Sequence, residues 1–127
     1  MALTTGPAFE MYRGEERVWT MTITEDSTAI NLLGATLKFT VREVFPSGTI
    51  TSDADAVFTC TSPTEILLTQ PTDGIVELVI SKAKTNTIRI TGITEYQYGL
   101  EYVPSDSTDP RVIAQGLFTL YPDVVRA

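Results

Sequence analysis

Carboxylate pairs are the first place to look for chemistry in this sequence. Asp53 and Asp55 stand two apart in a polar stretch, Asp106 and Asp109 share another, and Glu15 and Glu16 are adjacent. Two carboxyls can work as acid and base, or as acid and nucleophile. They do so when a cleft holds them about 5 Å or about 6.5–9.5 Å apart and shifts one of their pKa values. Nothing in the flanking residues builds such a cleft, so the plain reading is solvated surface acids. The same oxygens are the ligands that calcium takes. The run Thr51-Ser52-Asp53-Ala54-Asp55-Ala56 has the spaced acids of a calcium loop but neither its glycine nor its distal glutamate, so no metal is assigned.

Nucleophiles are present without an activating base. His is absent, which excludes any triad that needs it and any zinc site of Cys and His ligands. Cys60 is the only cysteine, so no intrachain disulfide can form. It ends an apolar run and reads as a small buried hydrophobe, since a reactive thiol needs a cationic neighbour and none is near in sequence. Lys82 and Lys84 fall on what reads as an exposed turn. Arg13, Gly14 and Arg17 make a small basic spot that Glu15 and Glu16 offset. There is no Gly-rich phosphate loop. The expectation is a chain with no catalytic residue, no metal and no cofactor, and not an enzyme.

Aromatic residues are the remaining feature. Trp19, Phe39, Phe58, Tyr96, Tyr98, Tyr102, Phe118 and Tyr121 all lie on predicted strands, most of them on core-facing sides. Tyr12, Tyr102 and Tyr121 are the expected exceptions. Tyr is enriched in protein–protein interfaces, and with Phe9 and Arg13 these three make up the candidate interface residues. A row of exposed rings would alternatively suit a sugar.

The elements that position these residues are strands. Thr is the commonest residue, and β-branched side chains favour half-buried pleated surfaces. In residues 17–24 Trp19, Met21 and Ile23 alternate with Thr20, Thr22 and Thr24, a period of two. Residues 36–44 set Leu37, Phe39 and Val41 against Lys38, Thr40 and Arg42. Residues 74–80 set Val76, Leu78 and Ile80 against Glu77. Residues 95–103 set Tyr96, Tyr98, Leu100 and Tyr102 against Gln97, Gly99 and Glu101. Residues 112–120 set Val112, Ala114, Phe118 and Leu120 against Gln115 and Thr119. Residues 9–13, 56–60 and 65–69 are weaker candidates. Gly, Pro and Asp clusters divide these runs, and the count of seven to eight strands predicts an all-β, two-sheet antiparallel sandwich. Residues 81–88 break the period and predict one short helical crossover between the sheets, with Ser81 placed to cap it.

Composition bounds the rest. At 127 residues the chain is a single domain, residues 1–127, with residues 1–8 as an N-terminal arm and 122–127 as a C-terminal tail. Hydrophobic residues at 43% and charged residues at 20% are ordinary for a globular chain. A net charge of −7 disfavours nucleic acid and anionic membrane as partners. No apolar run is long enough to span a bilayer, and the start at Met1 has no signal-peptide pattern.

The order of motifs carries a resemblance. Phe9-Glu10-Met11-Tyr12-Arg13-Gly14-Glu15 precedes a strand, then come Ile30-Asn31-Leu32-Leu33-Gly34-Ala35 and Leu37-Lys38-Phe39-Thr40-Val41-Arg42. Asp73-Gly74-Ile75-Val76-Glu77-Leu78-Val79-Ile80, Tyr96-Gln97-Tyr98-Gly99-Leu100 and Val112-Ile113-Ala114-Gln115-Gly116-Leu117-Phe118-Thr119-Leu120 follow. Across residues 9–125 this resembles small tailed-phage virion proteins, and is similar to the amino-terminal immunoglobulin-like domain of phage baseplate upper proteins. Its motifs are structural (a Leu-Gly-Ala turn, a Tyr-X-Tyr strand, a Gly-X-Phe strand), and the chain ends at Ala127, where a baseplate upper protein continues into further domains.

The resemblance implies an immunoglobulin-like β-sandwich and a non-enzymatic virion structural or assembly protein of the tail or baseplate. Such a protein is made in the bacterial host cytoplasm and partnered by other virion proteins and by copies of itself, with no small-molecule substrate. Capsid decoration on the phage head and a carbohydrate-binding module on the particle surface are the alternatives. In immunoglobulin-like sandwiches a Tyr near the start of the sixth strand ties its hydroxyl to upstream backbone. Tyr96 has the place for this as well as for plain core packing.

Overall fold

The computed structural model describes residues 4–5, 8–25, 28–43, 56–86, 88, 90, 92–105 and 108–122. Asp53, Asp55 and Asp106 lie outside the described residues, as do most of the expected arm and tail. The strands are β1 (Thr4–Thr5), β2 (Phe9–Tyr12), β3 (Arg17–Thr22), β4 (Thr24–Glu25), β5 (Thr28–Ala29) and β6 (Thr36–Glu43). They continue with β7 (Ala56–Thr61), β8 (Ile66–Gln70), β9 (Ile75–Ile80), β10 (Thr94–Val103) and β11 (Arg111–Tyr121). One helix, α1 (Lys82–Asn86), falls within the segment that broke the strand period, and a 3-10 turn spans Pro71–Asp73.

Two sheets pack face to face as a sandwich. The larger runs β1–β11–β10–β6–β7, with β2 also paired to β11, and the smaller runs β3–β9–β8; β4 and β5 form a separate ribbon. Both N-terminal strands lie parallel to β11, while β11–β10, β10–β6 and β6–β7 are antiparallel. Thr4 and Thr5 of the expected arm are therefore part of the larger sheet.

The inner faces are those that alternation requires. Leu37, Phe39 and Val41, then Val76, Leu78 and Ile80, then Tyr96, Tyr98, Leu100 and Tyr102 are all buried. At the centre the Phe39 ring stacks on Tyr98 at 5.0 Å and meets Phe9 and Phe118 nearly edge-on at 5.8 and 6.5 Å, the arrangements that ring quadrupoles favour.

Residue Val112 departs from the alternation. The β10–β11 register passes from Leu100↔Ala114 to Glu101↔Val112, so one residue of β11 is bulged out. Beyond the bulge Val112 sits beside outward Glu101 and is 43% exposed, whereas period two had placed it in the core. A similar shift between Leu67 and Gln70 accounts for the irregular pattern of β8.

The connection into β9 depends on glycine. Gly74 has φ 71°, and a Cβ there would sit 2.7 Å from Ile23 O and 2.9 Å from Ile30 O. That crowding comes from a knot of backbone bonds: Ile23 N–H donates to Gly74 O, Ile30 N–H to Ile23 O and Leu32 N–H to Pro71 O. Only a residue without a side chain fits.

Candidate functional site: the outer face of the larger sheet

The β2–β11 pairing builds the first part of the site. Tyr12 and Tyr121 are register partners, and both turn outward because Met11 and Leu120 turn in. Their rings lie 5.4 Å apart at 38°. The Tyr121 hydroxyl donates to Glu10 Oε2 at 2.5 Å. That bond, together with the nearby Glu10, Tyr12 and Glu95, raises the phenol pKa above its usual range, so Tyr121 is a hydrogen-bond donor and not a base. Tyr12 is 47% exposed and Leu117, two outward positions along β11 from Tyr121, is 46% exposed.

Further along the face the side chains are arranged in cross-strand rows. Leu117, Gln97 and Arg42 share a row, then Gln115, Gly99 and Thr40, then Val112, Glu101 and Lys38. The middle row lacks a central side chain, and a Cβ on Gly99 would meet nothing within 4 Å. The result is a shallow recess of about 240 Å³ whose floor is Gly99 and Thr40 and whose rim carries Arg42, Gln97, Glu101 and Val112. A glycine inside a strand marks a bulge or a place where something approaches the backbone closely. Gly99 was legible as an outward position, but its two neighbours in the row are known only from the register.

The five expected interface residues separate into three groups. Tyr12 and Tyr121 come together on this face. Phe9 and Tyr102 do not belong to it: they are 3% and 6% exposed. Phe9 packs on Trp19 at 4.9 Å and Tyr98 at 5.0 Å, and Tyr102 pairs with core residue Leu37. Arg13 turns toward α1, where Nε donates to Ile88 O and Nη2 to Asn86 O, each at 2.5 Å. The adjacent Gly14 N–H donates to the buried Thr85 hydroxyl at 2.9 Å. The basic spot is thus a bracket between the β2–β3 turn and the end of the helix.

The remaining chemical candidates are also placed. Glu15 Oε1 accepts from Tyr12 N–H at 3.2 Å and lies 3.7 Å from Arg17, whose guanidinium sits over Trp19 at 5.3 Å. Glu15 thus closes a turn. Asp109 is exposed. Cys60 is fully buried, with Sγ 3.9 Å from Val79 O. Burial first, and then Glu65 against the opposing Lys84, pushes its pKa up to about 12. Lys82 is exposed as expected, but Lys84 is not a free surface lysine. Its Nζ donates to Thr59 O at 2.6 Å and pairs with Glu65 Oε2 at 2.8 Å. Among the described residues no three His, Cys, Asp or Glu side chains converge as a metal site would require.

The face therefore offers two rings and a leucine with a carboxylate-anchored hydroxyl, next to a recess rimmed by hydrogen-bonding groups. That is the chemistry of a docking surface: apolar area to bury and polar groups to fix orientation. No protein-family model matches the chain, and no curated protein matches it in sequence.

Proposed function

We propose that this chain is a non-enzymatic structural module that assembles with neighbouring proteins through the outer face of its larger sheet. Its setting in this reading is a tailed-phage particle, at the tail or baseplate, with other virion proteins and copies of itself as neighbours. The observation that carries the docking role is the outward Tyr12–Tyr121 pair continued by Leu117, since exposed Tyr in contact with further apolar area is what interface centres use. The phage setting rests on the motif order described above. The immunoglobulin-like reading is supported by strand order. Lettered along the chain, β3–β9–β8 is B–E–D and β11–β10–β6–β7 is G–F–C–C′, the strand order of a variable-type sandwich that, among the described residues, lacks A on the first sheet and C″ on the second.

The test is incorporation. Particles assembled with the variant Tyr12→Ala, Leu117→Ser, Tyr121→Ala should carry at least tenfold fewer copies than particles with the parent chain, counted by quantitative mass spectrometry. The variant's thermal midpoint should stay near the parent's, because all three side chains face outward. Unchanged stoichiometry would overturn the role of this face. The parent's copy number separates a tail position (a handful to a few dozen) from decoration of the head (hundreds). The exposed ring pair beside the Glu10 carboxylate also favours a second reading, glycan binding. Array hits that the same variant abolishes would put that reading first.

A further inference from the structure

Among the described residues strand β7 ends the larger sheet, and its ladder shows which of its groups point away from β6. Ser62 N–H donates to Leu37 O at 3.0 Å. Antiparallel alternation from that bond turns Cys60 toward β6, and Thr59 and Thr61 toward the open side. Three of those four outward groups, all but the Thr59 N–H, are bonded from within the chain. Lys84 Nζ, from α1, takes Thr59 O at 2.6 Å and pairs with Glu65 Oε2 at 2.8 Å. Glu65 takes both outward groups of Thr61: Oε1 accepts from its N–H at 3.3 Å and the Glu65 N–H donates to its carbonyl at 3.0 Å. Glu65 is itself held by Val79 N–H of β9 at 2.8 Å. The strand itself, Ala-Val-Phe-Thr-Cys-Thr, has no charge and no proline, the usual guards of an edge.

We propose that Lys84 and Glu65 form a latch that shuts the β7 edge against a second copy of this chain. The covered edge fits its own copy. An antiparallel two-fold match sets Thr59 of one chain against Thr61 of the other, as an isologous contact requires. The strand is also an uncharged strip on a chain of net charge −7, where two copies repel each other least. This surface is separate from the outer face and stands independently of the role given to it.

Sedimentation velocity on the full chain tests the latch, comparing the parent with Lys84→Arg, Lys84→Met and Glu65→Ala at one concentration. Circular dichroism confirms the fold of each. The parent and Lys84→Arg should sediment alike. Lys84→Met and Glu65→Ala should double in mass, with exchange of the Thr59 amide slowed at least tenfold as β7 acquires a partner strand. If Lys84→Met fails to fold, Glu65→Ala carries the comparison. Folded variants that keep the parent's mass, or that associate while the Thr59 amide exchanges as before, would overturn the proposal.

Discussion

At the scale of single residues, buried acids govern the response to alkali, Tyr98 and Cys60 foremost. Burial pushes the Tyr98 phenol from 10.0 up to about 12, and the Cys60 thiol rises from 9.0 to about the same value. Each group holds its proton more tightly in the folded chain than in the unfolded one. Their contribution to stability is therefore complete below about pH 9 and drains away as pH rises toward 12. The urea midpoint should hold steady from pH 7 to 8.5 and fall progressively above it. In the same window Cys60 should react with a thiol reagent at pH 8 only once denaturant is added, and rapid labelling of the native chain would contradict this account. The bland sequence reading of Cys60 is the one the fold realises. The reading of Lys84 as a solvent-exposed turn residue fails because its partners, Thr59 and Glu65, lie 25 and 19 residues earlier in the chain. No local pattern announces a contact across the two sheets.

At the scale of elements, period-two alternation located the long strands and their inner faces, because Leu37, Phe39 and Val41 have one dry side to share with Tyr98 and Leu100. It misplaced Val112, since a bulge reverses the sides of everything beyond it and leaves no mark in a run as apolar as Val112-Ile113-Ala114. Phe9, expected among the interface residues, is in the core, because a four-residue strand whose partner lies more than a hundred residues on does not reveal which side is dry. Tyr102 followed the alternation and should have been read with it. The short α1 was found by its broken period, but its anchoring was not. Arg13 holds the Asn86 carbonyl at the end of the helix and the Ile88 carbonyl just beyond it, and a five-residue helix has little stability of its own. Arg13→Ala should cost about 1–3 kcal/mol, the range for charged hydrogen bonds partly open to water. It should raise amide exchange across residues 82–88 before the rest of the chain, read by native-state hydrogen exchange. Uniform acceleration across both sheets would instead mean that α1 opens only with the whole fold.

At the scale of the whole molecule, the larger sheet carries the face proposed for docking and the smaller sheet backs it, while β7 and α1 close the side where the two meet. The face could not be assembled from the sequence alone. Tyr12 and Tyr121 were each singled out, but their pairing depends on a parallel contact between the beginning and the end of the chain. That same contact sets how the molecule would carry load. Because β1 and β2 run in the direction of β11, the backbone enters at one pole of the sandwich and leaves at the other. Tension between those poles slides β2 along β11, so the four rungs from Phe9↔Phe118 to Tyr12↔Tyr121 bear it simultaneously and cannot peel one by one. Pulled in a single-molecule stretching experiment from residues 4 and 121, the chain should yield in one abrupt event, at markedly higher force than when pulled across β10 and β11. A subunit strung between neighbours in an assembly would thereby resist being drawn out like a thread.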